Sequence, residues 1–427
     1  MNIHDTLQAL EQGAFDSCLK ALYSCEDCQP YRTRLLRAVQ SFQKNFEADD
    51  LTEISLFSSP ARTELGGNHT DHQGGHVLTG TIQADMIAVA SKQDNQEIQL
   101  FSNDLPSVCI TLSDLSPQEH ELHTSAGLLR GIACQFQKAG TPVTGLTIYI
   151  DSDIPVSAGL SSSGAFEMLA VSICETFFSE TPLTALQKAL IGQYAENVYF
   201  GKPCGLSDQL TCAEGGILAI DFQSEIPEIK KLSVDFQNEG YALCILETGS
   251  EHTDTSVYAS VPDEMSSIAK MFSREKLSEI SENEFKSHFS ALRRTCGDRA
   301  VLRAMHYFSE NKRVAQQIQA LQNHDFETYL QLVKNSGHSS FAYLQNVSDF
   351  RYPERQESAV AIALCEEILD GRGAVRIHGG GFAGTIQAYV PLDFLNEFRI
   401  QAESLLRVGC CHCYTIRNSG CIAITTE

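Results

Sequence analysis

Four short stretches of the chain concentrate groups able to do chemistry. The first runs Ala61-Arg62-Thr63-Glu64-Leu65-Gly66-Gly67-Asn68-His69-Thr70-Asp71-His72-Gln73-Gly74-Gly75 and packs a guanidinium, an amide, carboxylates and two imidazoles between β-like segments. Such a density of directional donors and acceptors suits sugar hydroxyls, which do both; a polar surface loop with glycine turns is the alternative reading. His69 and His72 stand three apart, but no third ligand at a metal-binding spacing accompanies them. The second stretch is Pro155-Val-Ser-Ala-Gly159-Leu160-Ser161-Ser162-Ser163-Gly164-Ala165, between an apolar strand and an amphipathic helix. Small residues allow close backbone approach, and hydroxyls with free amides at a helix N-terminus attract anions. A serine-capped helix after a tight turn is the alternative. No Gly-Lys-Ser/Thr follows, so the loop is not of the Walker type.

The third stretch, Glu196 to Gln209 (ENVYFGKPCGLSDQ), ends a helix and turns through Gly201, Pro203 and Gly205 to present Asp208. A carboxylate so placed is a candidate base or metal ligand, or else a helix N-cap. The fourth, Gly379-Gly380-Gly381-Phe382-Ala383-Gly384, lies between the strands AVRIH and TIQAYV, where glycine permits positive φ. It either walls a ligand or forms a hairpin turn.

The elements that must position these stretches follow from periodicity. Residues 1 to 47 read as helical, broken near CEDCQP, and 54 to 114 as short antiparallel strands (ISLFSS, HVLTGTI, MIAVASK, EIQLFS, VCITL). Helices are expected at 119–140, 162–179, 184–200, 356–370 and 392–408, with long amphipathic patterns over 262–346; strands are expected at 144–154, 215–222, 241–248 and within 374–391. Mixed elements in blocks argue for an α+β fold.

With 427 residues, 43% hydrophobic and 20% charged, the chain sits in the ordinary globular range. Its 31 Lys+Arg against 54 Asp+Glu leave a net charge of −23, which disfavours nucleic acid and membrane surfaces as partners. An anionic small ligand would need local amides, a helix N-terminus or a divalent cation. Fifteen scattered cysteines, an odd number, fit reduced thiols in a cytoplasm better than a disulfide framework. There is no signal-like start and no run of ~18 apolar residues, so a soluble cytoplasmic protein is expected, with a monomer favoured. Cys25 and Cys28, with Cys410, Cys411, His412 and Cys413, could supply four zinc ligands if the termini met; a buried strand pair around 410–424 is the other reading.

Taken in order, the four stretches resemble the galactokinase branch of the GHMP small-molecule kinases. The first is similar to G-R-x-N-L-I-G-E-H-T-D-Y-N-G-G, the second to P-x-x-x-G-L-S-S-S-A-A-L-E, the third to A-E-x-x-x-x-G-x-P-C-G-x-M-D-Q and the last to G-A-G-F-G-G. The resemblance implies a two-lobed fold: a helical segment 1–47, an N-terminal lobe 48–225 with a mixed sheet, and a C-terminal α/β sandwich 226–427. It implies ATP and a galactose-like sugar as substrates, with the γ-phosphoryl moving to the anomeric hydroxyl. Residue by residue, Pro155, Gly159, Leu160, Ser161, Ser162, Ser163, Gly164 and Ala165 would wrap the ATP phosphates. Ser163, or Ser162 beside it, and Glu196 would hold Mg²⁺. Asp208 would be the catalytic carboxylate with Arg62 as its cationic partner, and Asn68, His69, Asp71, Gly205 and Tyr258 would line the sugar pocket. The chain departs from the pattern at Asn68, where the family has Glu, at Glu64, where it has Asn, and at His72, where it has Tyr. No Asn-x-Arg-Arg continuation follows Tyr258. An amide at 68 donates as well as accepts, which makes galacturonate or another related sugar an alternative substrate. Asp208, Glu196 and the serine cluster are all present, which argues against a silent sugar- and ATP-binding regulator on the same fold.

Overall fold

Strand side chains alternate between faces with a period of two, and this alternation decides what covers each side of the larger sheet. The structure is a computed structural model and describes every residue except 104–105, 156–158, 250–254, 383 and 427, with the backbone alone for 255 and 256. The strands form two sheets. In chain order they are β1 (Ser55–Gly66), β2 (His76–Gln93), β3 (Glu97–Ser102), β4 (Val108–Thr111), β5 (Gly145–Ser152), β6 (Ile217–Asp221), β7 (Glu228–Leu232), β8 (Tyr241–Glu247), β9 (Ala374–Ile377), β10 (Thr385–Pro391), β11 (Cys411–Tyr414) and β12 (Ile422–Ile424). The larger sheet runs β12-β1-β2-β5-β3-β4, with β6 and then β7 added beside β2; the smaller runs β11-β8-β10-β9. All pairs are antiparallel except β3 with β5.

Phe57, Ala88 and Ile148 turn one face of the larger sheet toward the helices Ser125–Lys138 and Ser162–Phe178. Their neighbours Leu56, Ile87, Val89 and Tyr149 turn the other face toward the helices Ile3–Glu11, Asp16–Tyr23 and Gln29–Asn45. Burying one Val, Leu, Ile or Phe side chain stabilises by roughly 1.5–3 kcal/mol. Val39 and Phe42, both 0% exposed, therefore make the helical segment part of the fold and not an appendage.

The runs HVLTGTI and MIAVASK belong to one strand, β2, and not to two. Its ladder with β1 shifts register between Pro60, which faces Asp85, and Arg62, which faces Thr81. Asp85 interrupts the apolar pattern in the sequence, yet it is 0% exposed. Arg34 (2.6 Å), Arg417 (3.2 Å) and the Tyr23 hydroxyl (2.7 Å) meet its charge, together with Ser58. Burial pulls its pKa up, but the two guanidiniums win and hold it below the ordinary value.

The smaller sheet packs Ala242, Cys244 and Leu246 against the helices Glu357–Leu369 and Leu395–Leu405. Its other face, with Leu243, Ile245 and Tyr389, joins Phe326 and Tyr329 in the same apolar core as Phe57 and Leu169. The two sheets thus share one continuous core. The division expected at residue 225 does not coincide with them: β7 stays in the larger sheet, and β12 returns to it by pairing Leu56 with Ile424. The open edge of β1 is what takes β12 up.

The zinc ligands that Cys25, Cys28 and the 410–413 run could have supplied together do not assemble among the described residues. Cys25 and Cys28 (Sγ to Sγ 3.9 Å) lie with the helical layer, whereas Cys411 belongs to the core of the smaller sheet. His412 pairs instead with Glu247 at 3.0 Å.

Arg417→Leu is expected to destabilise the protein by about 3–5 kcal/mol, because Asp85 loses one of its two buried cations. Equilibrium urea unfolding measures this, and an unchanged midpoint would mean that Arg34 satisfies Asp85 alone.

Candidate active site

Arg62 projects from β1 and Asp208 from the first turn of the helix Ser207–Glu214, so the chain pairs a rigid strand with a helix N-terminus. Arg62 Nε donates to Asp208 Oδ1 at 2.6 Å and Nη2 to Oδ2 at 2.7 Å, a bidentate pair. Its Nη1 donates to the Gly159 carbonyl at 2.7 Å, and its backbone N–H donates to Leu160 O at 3.1 Å. One guanidinium thereby fixes the carboxylate and the serine loop. Ser161 caps the helix Ser162–Phe178 in the left-handed region (φ 58°) and donates from Oγ to Asp208 Oδ2 at 2.6 Å. A non-glycine residue held there is costly and marks an over-determined site. Burial raises the Asp208 pKa, but Arg62, then Ser161 and Lys202, bring it below the ordinary carboxylate value. Asp208 remains 33% exposed, within reach of a ligand.

Arg62, Glu64, His69, Asp71, Asp208 and Gly380 are among the residues lining a cleft beside this pair. Ser207 donates to Asp71 Oδ2 at 3.1 Å. A Cβ on Gly205 would stand 1.9 Å from that oxygen, so Gly205 is the residue that admits Asp71. His69 adopts φ 57° and places Nε2 2.9 Å from the Gly380 carbonyl. Tyr258 stands behind the glycine loop: its hydroxyl donates to Gly381 O at 2.8 Å, and its ring leaves no room for a Cβ on Gly380.

Asn68 does not line the cleft. It is 0% exposed, and its Nδ2 donates to Glu64 Oε1 at 2.9 Å and to Gly379 O at 2.5 Å. Its Oδ1 accepts from Asn346 at 2.7 Å, and its carbonyl accepts from His306 at 2.9 Å. Of the two residues it is Glu64 that lines the cleft, and it is ion-paired with Arg376. Glu and Asn have thus exchanged places relative to the resembled pattern while remaining hydrogen-bonded to each other. Burial raises the Glu64 pKa above its ordinary value, and Arg376 and Arg62 oppose that shift without cancelling it.

Of the expected phosphate loop, Leu160, Gly164 and Ala165 are buried in packing, Pro155, Gly159, Ser161 and Ser163 are partly exposed, and Ser162 is exposed. Residues 156–158 lie outside the described residues. Glu196 is 2% exposed, accepts from Gln209 Nε2 at 2.8 Å and lies 3.4 Å from Lys202 Nζ. The same Gln209 amide reaches Glu167 at 3.0 Å. Burial and then Glu196 push the Glu167 pKa well up. Glu167 Oε1 and Gln209 Oε1 are buried acceptors without a hydrogen-bond partner, a donor set that fits a cation. Ser163 lies four residues before Glu167, on the same face of their helix.

The sequence reading passed over Glu167 and also over the supports of the first stretch. His306 and Glu310, four apart on the helix Asp298–Gln322 and both 0% exposed, hold the Asn68 carbonyl and the Gly67 N–H (3.2 Å). His306 and Glu310 fall at helical spacing with Arg303 and Gln317, all four buried, and this polar stripe was the available signal.

In Arg62→Met, burial acts on Asp208 without its main opponent, so the carboxyl is expected to titrate at higher pH than in the parent. Carbonyl-carbon NMR of aspartate-labelled protein reads this directly, and an unmoved titration would assign the depression to Ser161.

A model described as "GHMP kinases N terminal domain" matches residues 127–216, and one described as "Galactokinase galactose-binding signature" matches residues 40–92. The chain is 31% identical over 368 residues to a galactokinase of Actinobacillus pleuropneumoniae serotype 3, covering 85% of this chain and 91% of that one. It is 29% identical to a galactokinase of Mannheimia succiniciproducens, covering 82% and 88%. In fold it is similar to a Lactococcus lactis galactokinase complexed with galactose (TM-score 0.78, 23% identity, 91% of this chain and 99% of that one). A Methanococcus jannaschii mevalonate kinase is similar at a TM-score of 0.59 and 16% identity, covering 85% and 98%. With identity above 30% across most of both sequences, the chain belongs to the galactokinase family of the GHMP kinases.

Proposed function

We propose that the protein transfers the γ-phosphoryl group of ATP to the anomeric hydroxyl of galactose. The observation that carries this reading is the Arg62–Asp208 pair, held at a helix N-terminus and opening on a cleft with Glu64, His69 and Asp71. Phosphoryl transfer asks a protein chiefly for in-line positioning and charge neutralisation. Asp208, kept ionised by Arg62, accepts the hydrogen bond of the attacking hydroxyl and orients it. The pairing that keeps Asp208 charged also makes it a weak base, so the proton passes to it late, when the oxygen has already become acidic. Arg62 faces the charge developing on the transferred group. The amides and hydroxyls of Ser161, Ser162 and Ser163 at the N-terminus of their helix suit the phosphates. Ser163 and Glu196, with Glu167 beside them, are the residues that would hold Mg²⁺, which when bound neutralises phosphate oxygens. A reducing cytoplasm agrees with fifteen unpaired cysteines, and no described helix is long and apolar enough to cross a membrane.

The exchange of Glu64 and Asn68 argues for a neutral sugar. Galacturonate would bring its carboxylate into a cleft where Arg62 already answers Asp208 and Arg376 answers Glu64, with Asp71 beside them and no further guanidinium among the lining residues. Like-charge juxtaposition costs several kcal/mol.

ADP release with ATP and Mg²⁺ is therefore expected with galactose, at a kcat/KM at least ~10²-fold above that for galacturonate, a ratio worth about 2.7 kcal/mol. Arabinose, fucose and N-acetylgalactosamine complete the panel. Equal turnover of galacturonate would overturn the assignment of the sugar, and absence of ADP release with every sugar would overturn the kinase reading. Asp208→Asn should keep ATP and sugar binding while losing turnover by at least ~10²-fold; near-normal turnover would remove Asp208 from the mechanism.

A further inference from the structure

The smaller sheet carries a cluster of side chains with no part in the kinase site. In the ladder of β8 with β11, Cys244 lies directly opposite Cys413, and Cys411 stands two residues earlier on the same face of β11. The three Sγ atoms all lie within 4.8 Å of one another, with Cys244 and Cys413 at 3.5 Å. Among the described residues this is the group of three or more His, Cys, Asp or Glu side chains that converges at metal-binding distance.

Burial of small apolar side chains explains Cys244 and Cys411, which are 0% and 3% exposed, but not Cys413, which is exposed. A tetrahedral zinc ion with Zn–S bonds of about 2.3 Å holds its sulfurs roughly 3.8 Å apart. The cluster needs to close by at most about 1 Å along its longest side to meet that geometry. His412, between the two β11 cysteines, is engaged with Glu247 and leaves the fourth position to solvent on the side where Cys413 is open. Three thiolates around a divalent ion leave one negative charge; Arg399 on the helix Leu395–Leu405 is paired with Glu403 at 3.0 Å, so that charge faces solvent on the open side of Cys413.

We propose that Cys244, Cys411 and Cys413 bind one zinc ion through three thiolates, with a solvent molecule as the fourth ligand. The thiols still protonated release their protons to solvent as the metal enters, and no redox change is involved. Soft sulfur ligands do not take the Mg²⁺ of a kinase assay, so the two sites do not compete. The metal fastens the edge strand β11 to β8, just before the segment that carries Arg417 back to the larger sheet.

The test uses the full chain, reduced with a phosphine, stripped by a chelator and titrated with Zn²⁺ against a chromophoric competitor; Co²⁺ serves as the spectroscopic probe. The expected result is one tight equivalent, with near-ultraviolet thiolate-to-cobalt bands of three-sulfur intensity. Cys413→Ser, an exposed position where serine disturbs no packing, should weaken binding by at least ~10²-fold, the upper range for losing even a group outside the ligand shell. Cys411→Ser should do the same, whereas Cys109→Ser, another exposed thiol, should leave affinity unchanged. Failure of the reduced parent to take up one equivalent, or an affinity that Cys413→Ser does not change, would overturn the site.

Discussion

The bidentate pair of Arg62 with Asp208 joins β1 of the larger sheet to the first turn of the helix Ser207–Glu214, and the Gly159 carbonyl is bound to the same guanidinium. Taking both ions out of water is unfavourable, and the pair is sustained because almost every remaining polar contact is also made: Ser161 to the carboxylate, Gly159 to the cation. This constraint reaches outward. It requires Ser161 in a left-handed conformation, and a Cβ on Gly164 would stand 3.0 Å from the Ser161 Oγ and crowd the hydroxyl that holds the carboxylate. The result is a carboxylate whose position and charge are fixed before any ligand arrives, which is the sense in which electrostatic stabilisation costs no reorganisation.

The traded positions of Glu64 and Asn68 follow the same logic of donors and acceptors. Position 68 faces the Gly379 carbonyl at 2.5 Å, so its side chain must offer a proton there, which an amide does and a carboxylate does not. On its other side the same amide presents an oxygen to Asn346. A carboxylate is tolerable at 64 because Arg376 stands against it. Each residue is therefore fitted to its neighbours, and reversing one without the other would leave a buried group unmet.

Local pattern carried much of this. The helical segment, the helices around the serine loop and Asp208, and most strands lie close to where periodicity places them, because each has one face against a core. Non-local pairing did not show. β12 is three residues long and takes its identity from the free edge of β1. β2 looked like two strands because Asp85 and the register shift interrupt it, and the arginines that make Asp85 acceptable come from positions 34 and 417. In the site, Arg62, His69, Asp71 and Asp208, drawn from separate motifs, line one cleft, but the type of residue at 68 did not reveal which way it points. Glu167 was passed over because its neighbours Glu196 and Gln209 arrive from another helix and turn.

The return of β12 and Arg417 to the larger sheet also bears on how the chain can be made. Asp85 and Arg417 are separated by 332 positions. A polypeptide emerging from its first residue onward exposes the edge of β1, and leaves Asp85 with Arg34 alone, until nearly all of the smaller sheet has followed. The larger sheet therefore cannot complete its structure until residues 417–424 have followed, and the edge of β1 stays unpaired in the growing chain over the intervening stretch.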